Sequence, residues 1–128
     1  MKPVTKFTEK WTPHTRLHIV KDLVKAGKVA ARKDAQTDAV DTLDFTPPPL
    51  PEMVAVVMAL STSDFYKSMT AYNDHSVWLD VYKTEYKGQM VYLKFEVTEL
   101  ETFEIVDGKP TSKVIKDRVV IASFKRSN

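Results

Sequence analysis

Apolar and polar positions along the 128-residue chain follow helical spacing in the first half and strict alternation in the second. Residues 1–11 are polar and aperiodic, and read as a flexible N-terminal extension. Leu17, Val20 and Val24, with Leu23 beside them, share one helical face, while Lys21, Lys25 and Lys28 line another. Thr12 and Pro13 predict the start of this helix, because threonine can cap and proline suits the first helical position. Gly27 predicts its end. A short strand is expected near 28–32. Residues 34–46 read as weakly helical at best. The run Pro47-Pro48-Pro49-Leu50-Pro51 predicts extended chain, as a stiff connector or as a ligand for a proline-reading domain. The apolar stretch 52–60 predicts a buried helix, and Ser61 or Ser63 can cap a short helix starting near Asp64.

From Lys67 onward the period changes to two. Val77, Leu79 and Val81 alternate with Trp78, Asp80 and Tyr82. After a turn at Lys87-Gly88, Val91, Leu93, Phe95 and Val97 alternate with Met90, Tyr92, Lys94 and Glu96. Asp107-Gly108 predicts a hairpin, and residues 119–125 a last strand. Helices followed by an antiparallel meander make an α+β fold, with helices on one face of a twisted sheet. Residues 12–128 form one domain on this reading.

Composition narrows the chemistry. The chain has no cysteine, which excludes disulfides and thiolate metal sites, and its three histidines (His14, His18, His75) are scattered, so no metal is expected. The longest apolar run, Met53 to Leu60, is far shorter than the about 20 residues that span a bilayer. With a polar N-terminus, this points to a cytoplasmic protein without a membrane partner. The net charge of +2 hides an asymmetry. Residues 1–33 carry nine Lys or Arg against Glu9 and Asp22, whereas residues 34–66 carry six acids and no base. A basic block can contact phosphates; a solvated helix face accounts for most of these charges.

The stretch from Asp64 to Tyr82 mixes aromatic rings with cations, as a site for single-stranded RNA requires. Alternation places Tyr92 and Lys94 opposite the apolar face of their strand, with Tyr82 across the Lys87-Gly88 turn and Lys125 and Arg126 at the end of the last strand. A surface collecting Lys67, Tyr92 and Lys125 would hold two cations and a phenol, without necessarily a carboxylate. Such a group suits RNA cleavage through attack of the ribose 2′-OH, a reaction that needs no cofactor. Cations stabilise the charge that builds on the phosphoryl oxygens, and a lysine crowded by another cation has a lowered pKa suited to proton transfer. Taken singly, these residues have plainer readings. Tyr92 is a structural aromatic, Lys125-Arg126 a solvated end, His75 a turn residue beside Asp74, and Phe65 and Trp78 core.

One segment is specific. Asp64-Phe65-Tyr66-Lys67-Ser68-Met69-Thr70 closely resembles the active-site stretch of the MqsR family of toxins. The likeness extends over Thr12-Pro13-His14-Thr15-Arg16-Leu17, Asp74-His75, Asp80-Val81-Tyr82, Val91-Tyr92-Leu93-Lys94 and Ser123-Phe124-Lys125. The resemblance implies a RelE-like fold and an mRNA interferase of a type II toxin–antitoxin pair, cutting mRNA at GC-containing triplets. It also implies a cognate, DNA-binding MqsA-like antitoxin as partner; a homodimer is compatible with the sequence. It assigns catalysis to Lys67, Tyr92 and Lys125. Tyr66, His75, Tyr82, Lys94 and Arg126 are the expected substrate contacts.

Three departures stand out. Leu79 occupies the position of a functional glutamine and offers no hydrogen bond. The proline run at 47–51 replaces a more ordinary helical connection, and residues 99–117 form an insertion that lengthens the last hairpin. The departure at Leu79 sustains an alternative, a protein of the same fold that binds RNA or antitoxin for regulation but has lost cleavage.

Overall fold

The computed structural model describes residues 8–127. Its elements in chain order are β1 (Glu9–Lys10), α1 (Leu17–Lys25), β2 (Val29–Ala31), α2 (Lys33–Leu43), α3 (Leu50–Ala59), a 3₁₀ turn (Thr62–Asp64), β3 (Phe65–Thr70), β4 (Trp78–Tyr86), β5 (Gln89–Val106) and β6 (Lys109–Arg126). The strands form one sheet in the order β1-β3-β4-β5-β6-β2, antiparallel except for the pair β2–β6. The fold is α+β, as the change of period indicated.

The helices cover only one face of the sheet. Leu17, Val20 and Val24 of α1 and Met53, Val56 and Val57 of α3 are buried with Tyr82, Leu93, Phe95, Ile121 and Phe124 from the strands. The opposite face carries a small apolar patch of Met69, Leu79, Val81 and Ala122, with Tyr92 packed at its edge. An antiparallel sheet can leave one face to solvent, and this open face holds the candidate site.

Three local expectations change. α1 begins at Leu17, not near Pro13, because residues 12–15 are held by the sheet. The backbone N–H groups of His14 and Thr15 donate to the two carboxylate oxygens of Asp80, at 2.9 and 3.0 Å. Ser68 Oγ lies within hydrogen-bond reach of the same carboxylate and of the Thr12 carbonyl. Asp80 and Ser68 are fully buried, and each is satisfied by these partners. Residues 34–43, read as weakly helical, belong to the full-length helix α2. Ala35, Ala39 and Leu43 recur every four residues and bury a narrow stripe in the main core, and tertiary burial overrides modest propensity here. Pro49, expected to be extended, has helical dihedrals (φ −78°, ψ −15°) and leads directly into α3, with Pro51 in the first turn.

The N-terminal extension divides as well. Residues 1–7 lie outside the described part, but Glu9 and Lys10 pair with Met69 and Ser68 as a two-residue edge strand. Thr8 and Thr70 exchange two hydrogen bonds of 2.9 Å, which fixes the entry to this strand.

Candidate active site

Register assembles the site from four strands. Directly paired residues share a face, so Lys67 of β3, Val81 of β4, Lys94 of β5 and Ser123 of β6 form one row on the open side. The next row holds Lys83, Tyr92 and Lys125. Adjacent strands lie about 4.8 Å apart, so these lysines ring Tyr92 at side-chain reach. The Lys125 ammonium lies 5.7 Å from the Tyr92 ring centroid. Tyr66, 42% exposed, stands beside the group, with Lys83 Nζ 4.3 Å and Lys67 Nζ 5.4 Å from its ring.

A β-bulge makes this placement. Phe65 pairs with Tyr82 but Lys67 pairs with Val81, so Tyr66 is the extra residue. Without it Phe65 and Lys67 would share a face. With it, Phe65 packs edge-on against Tyr82 on the helix side, at 5.4 Å between centroids, and Lys67 turns to the open side. Re-aiming a side chain in this way is a common role of bulges near functional sites.

The lysines differ in electrostatics. The Lys67 ammonium is ion-paired with the Glu9 carboxylate, and that hydrogen bond holds its pKa above the ordinary lysine value. Lys94 moves the other way. Burial lowers its pKa, and repulsion from Lys125, Arg32 and Lys67 adds to the effect. Burial raises the Tyr92 phenol, with Lys67 opposing, so Tyr92 keeps its proton at neutral pH. Beside Lys94 a groove of about 260 Å³ runs between Arg32, Tyr72, Asn73, Leu79 and Ser123. Among the described residues no cluster of three His, Asp or Glu side chains could hold a metal ion.

The family described as "Motility quorum-sensing regulator, toxin of MqsA" matches residues 12–109. The mRNA interferase toxin MqsR of Escherichia coli (strain K12) is 49% identical over 90 residues, spanning 70% of this chain and 87% of that protein. The chain belongs to the MqsR toxin family.

For this MqsR-family chain the structure brings together Lys67, Tyr92, Lys125, Tyr66 and Lys94, as expected. It separates Tyr82 and Arg126 from them. Tyr82 is 1% exposed and stacks on Phe95 on the helix side, because its register partner is the core residue Leu93. It lines a different cavity of about 560 Å³ with Leu17, Lys21 and Leu60. Arg126 pairs with Val91, which also faces the helices, so it is not on the open face. His75 sits in the loop 71–77 after β3; of that loop, Ala71, Tyr72 and Asn73 line the Lys94 groove and His75 does not. Trp78, expected in the core, is half-buried with Lys10 over its ring at 4.2 Å and His14 stacked at 5.6 Å.

Two site residues escaped the sequence reading. Glu9 was grouped with the extension, and Lys83 was obscured because β4 is buried on both faces near Val81 and Tyr82. Carrying the Leu79–Val81 alternation one step further places Lys83 on the open face. The pKa expectation also changes its bearer: the crowded lysine is Lys94, while Lys67 has a carboxylate beside it.

Proposed function

We propose that this open face binds mRNA and cleaves it, as an mRNA interferase toxin does, with Lys67, Tyr92, Lys94 and Lys125 carrying the reaction. The ribose 2′-oxygen attacks the adjacent phosphorus, leaving a 2′,3′-cyclic phosphate and a 5′-hydroxyl. Lys67, kept protonated by Glu9, supplies fixed positive charge to the phosphoryl oxygens. Lys125 and Lys83 flank Tyr92 and extend that field, while Tyr92 positions the phosphate through its phenol. Lys94 gives up a proton more readily than an ordinary lysine, which suits it to protonate the departing 5′-oxygen. Tyr66, 42% exposed among these cations, offers a face on which a base can stack. What carries the reading is this pairing of one lysine fixed as a cation with another that releases its proton easily, beside one phenol on an uncovered sheet.

The substrate reading is mRNA at GC-containing triplets in the cytoplasm. The partner is a cognate antitoxin of the MqsA type with its own DNA-binding domain. Expression of K67A and K125A in cells is expected to relieve growth arrest; if both variants arrest growth as strongly as the parent, the catalytic assignment is wrong. A second reading, binding without cleavage, draws on Leu79, which lies on the floor of the Lys94 groove and packs against Met69, Val81 and Ala122. Retention of labelled RNA without cut products, reversed in L79Q, favours that reading.

A further inference from the structure

The pairing at Lys67 leaves one group without a chemical role: the carboxylate that holds it. Glu9 sits opposite Met69 on β1 and reaches across the open face to Lys67. Its side chain is 34% exposed, so it is fixed yet open to substrate. The Thr8–Thr70 bonds brace the strand on one side, and the Asp80 clamp on residues 12–15 braces it on the other. A purely structural ion pair at an exposed edge contributes little stability, on the order of 0–1 kcal/mol. Two-sided bracing of a two-residue strand is therefore better explained by where it puts the carboxylate.

We infer that Glu9 is the general base of the cleavage proposed above, on which this assignment rests. The groups that face it are Lys67 from β3 and the Tyr92 phenol from β5. Leu79 and Val81 of β4 contribute no charge, and Glu96 of β5 lies further along its own row. Among the described residues it is the acid ion-paired with Lys67, whereas Asp34 interacts with Lys94 across the groove. In the reaction the Glu9 carboxylate takes the proton of the 2′-hydroxyl as the O2′–phosphorus bond forms. The phosphorus–O5′ bond breaks, and Lys94 protonates the departing oxygen. Glu9 then returns its proton to solvent and Lys94 regains one, so both groups are restored without a co-reactant. Lys67 keeps its proton throughout and holds the Glu9 side chain in place.

Single-turnover cleavage of RNA by the full chain tests this across pH 4.5–8. The parent rate is expected to fall toward acid. In E9Q the rate is expected to drop about 10²–10⁴-fold and to lose that acid limb, while E9D keeps the limb at a reduced rate. A positioning role alone would slow E9Q but leave the limb. A substrate with sulfur in place of the bridging 5′-oxygen needs no proton on its leaving group. It is expected to rescue K94A but not E9Q. A thermal midpoint of E9Q within a few degrees of the parent shows that the variant is folded. An acid limb retained in E9Q, or rescue of E9Q by the sulfur substrate, overturns the assignment of Glu9 alone. Failure of the parent to cut RNA overturns the proposed function and the assignment together.

Discussion

Two lysines on the same row with β4 between them, Lys67 and Lys94, have opposite electrostatic fates. Lys67 gains a carboxylate partner, so its folded pKa rises; the stability this contributes is present below the unfolded pKa and lost only as pH rises through the folded value. It stays charged throughout the working range. Lys94 has a lowered folded pKa, so the native state binds fewer protons than the unfolded chain between that value and the ordinary lysine pKa. Its contribution to stability therefore improves with rising pH across that window and is unfavourable at neutral pH. K94M is accordingly expected to raise the thermal midpoint at pH 7 while slowing RNA cleavage at least about 10²-fold. A variant that loses both stability and activity would show that Lys94 is structural. Simple parity placed Tyr92 and Lys94 correctly, because β5 alternates without interruption from Val91 to Val97. Parity fails at Tyr82, since β4 buries both faces near Val81, whereas Arg126, grouped with Lys125 as a cation at the end of the last strand, alternates with it to the helix side.

Among the elements, the shortest strand matters most to the site. β1 has two residues, too few for any periodicity, so Glu9 was not legible as a site residue in the sequence. What fixes β1 is also non-local: Asp80 is 66 positions from His14, and only the folded sheet brings them together. D80A leaves the N–H groups of His14 and Thr15 without their acceptor, and the Ser68 hydroxyl with the Thr12 carbonyl alone. It is expected to cost at least about 2 kcal/mol in urea unfolding, and to speed exchange of the Thr70 amide, which donates to the Thr8 carbonyl. Unchanged exchange at Thr70 would show that β1 holds without the clamp. α2 reads only as weakly helical for a different reason. Its buried stripe is two alanines and one leucine, small enough to lie against β6 but too weakly apolar to register as a hydrophobic face.

On the scale of the whole molecule, the chain separates a supported half-sheet from a free ribbon. β4 covers β5 only as far as Phe95, and beyond Thr98 the strands β5 and β6 pair with each other alone. Phe103 and Ile105 are each 70% exposed on this ribbon, and Val114 57%. The ribbon lies within the segment read as an insertion, and the site rows lie outside it. Replacing 101–114 by an Asn-Gly turn is therefore expected to leave the melting temperature within a few degrees and RNA cleavage unchanged, with less binding of a hydrophobic dye. A large loss of cleavage would place the ribbon in the RNA path. The central claim, that the lysine-ringed Tyr92 face cuts RNA through the 2′-hydroxyl, is tested most directly by the ends it leaves. Purified parent protein incubated with RNA containing GC triplets is expected to give fragments with 2′,3′-cyclic phosphate and 5′-hydroxyl termini, by mass spectrometry, and K67A is expected to give none. Fragments with 5′-phosphate termini, or equal cutting by K67A, would contradict it.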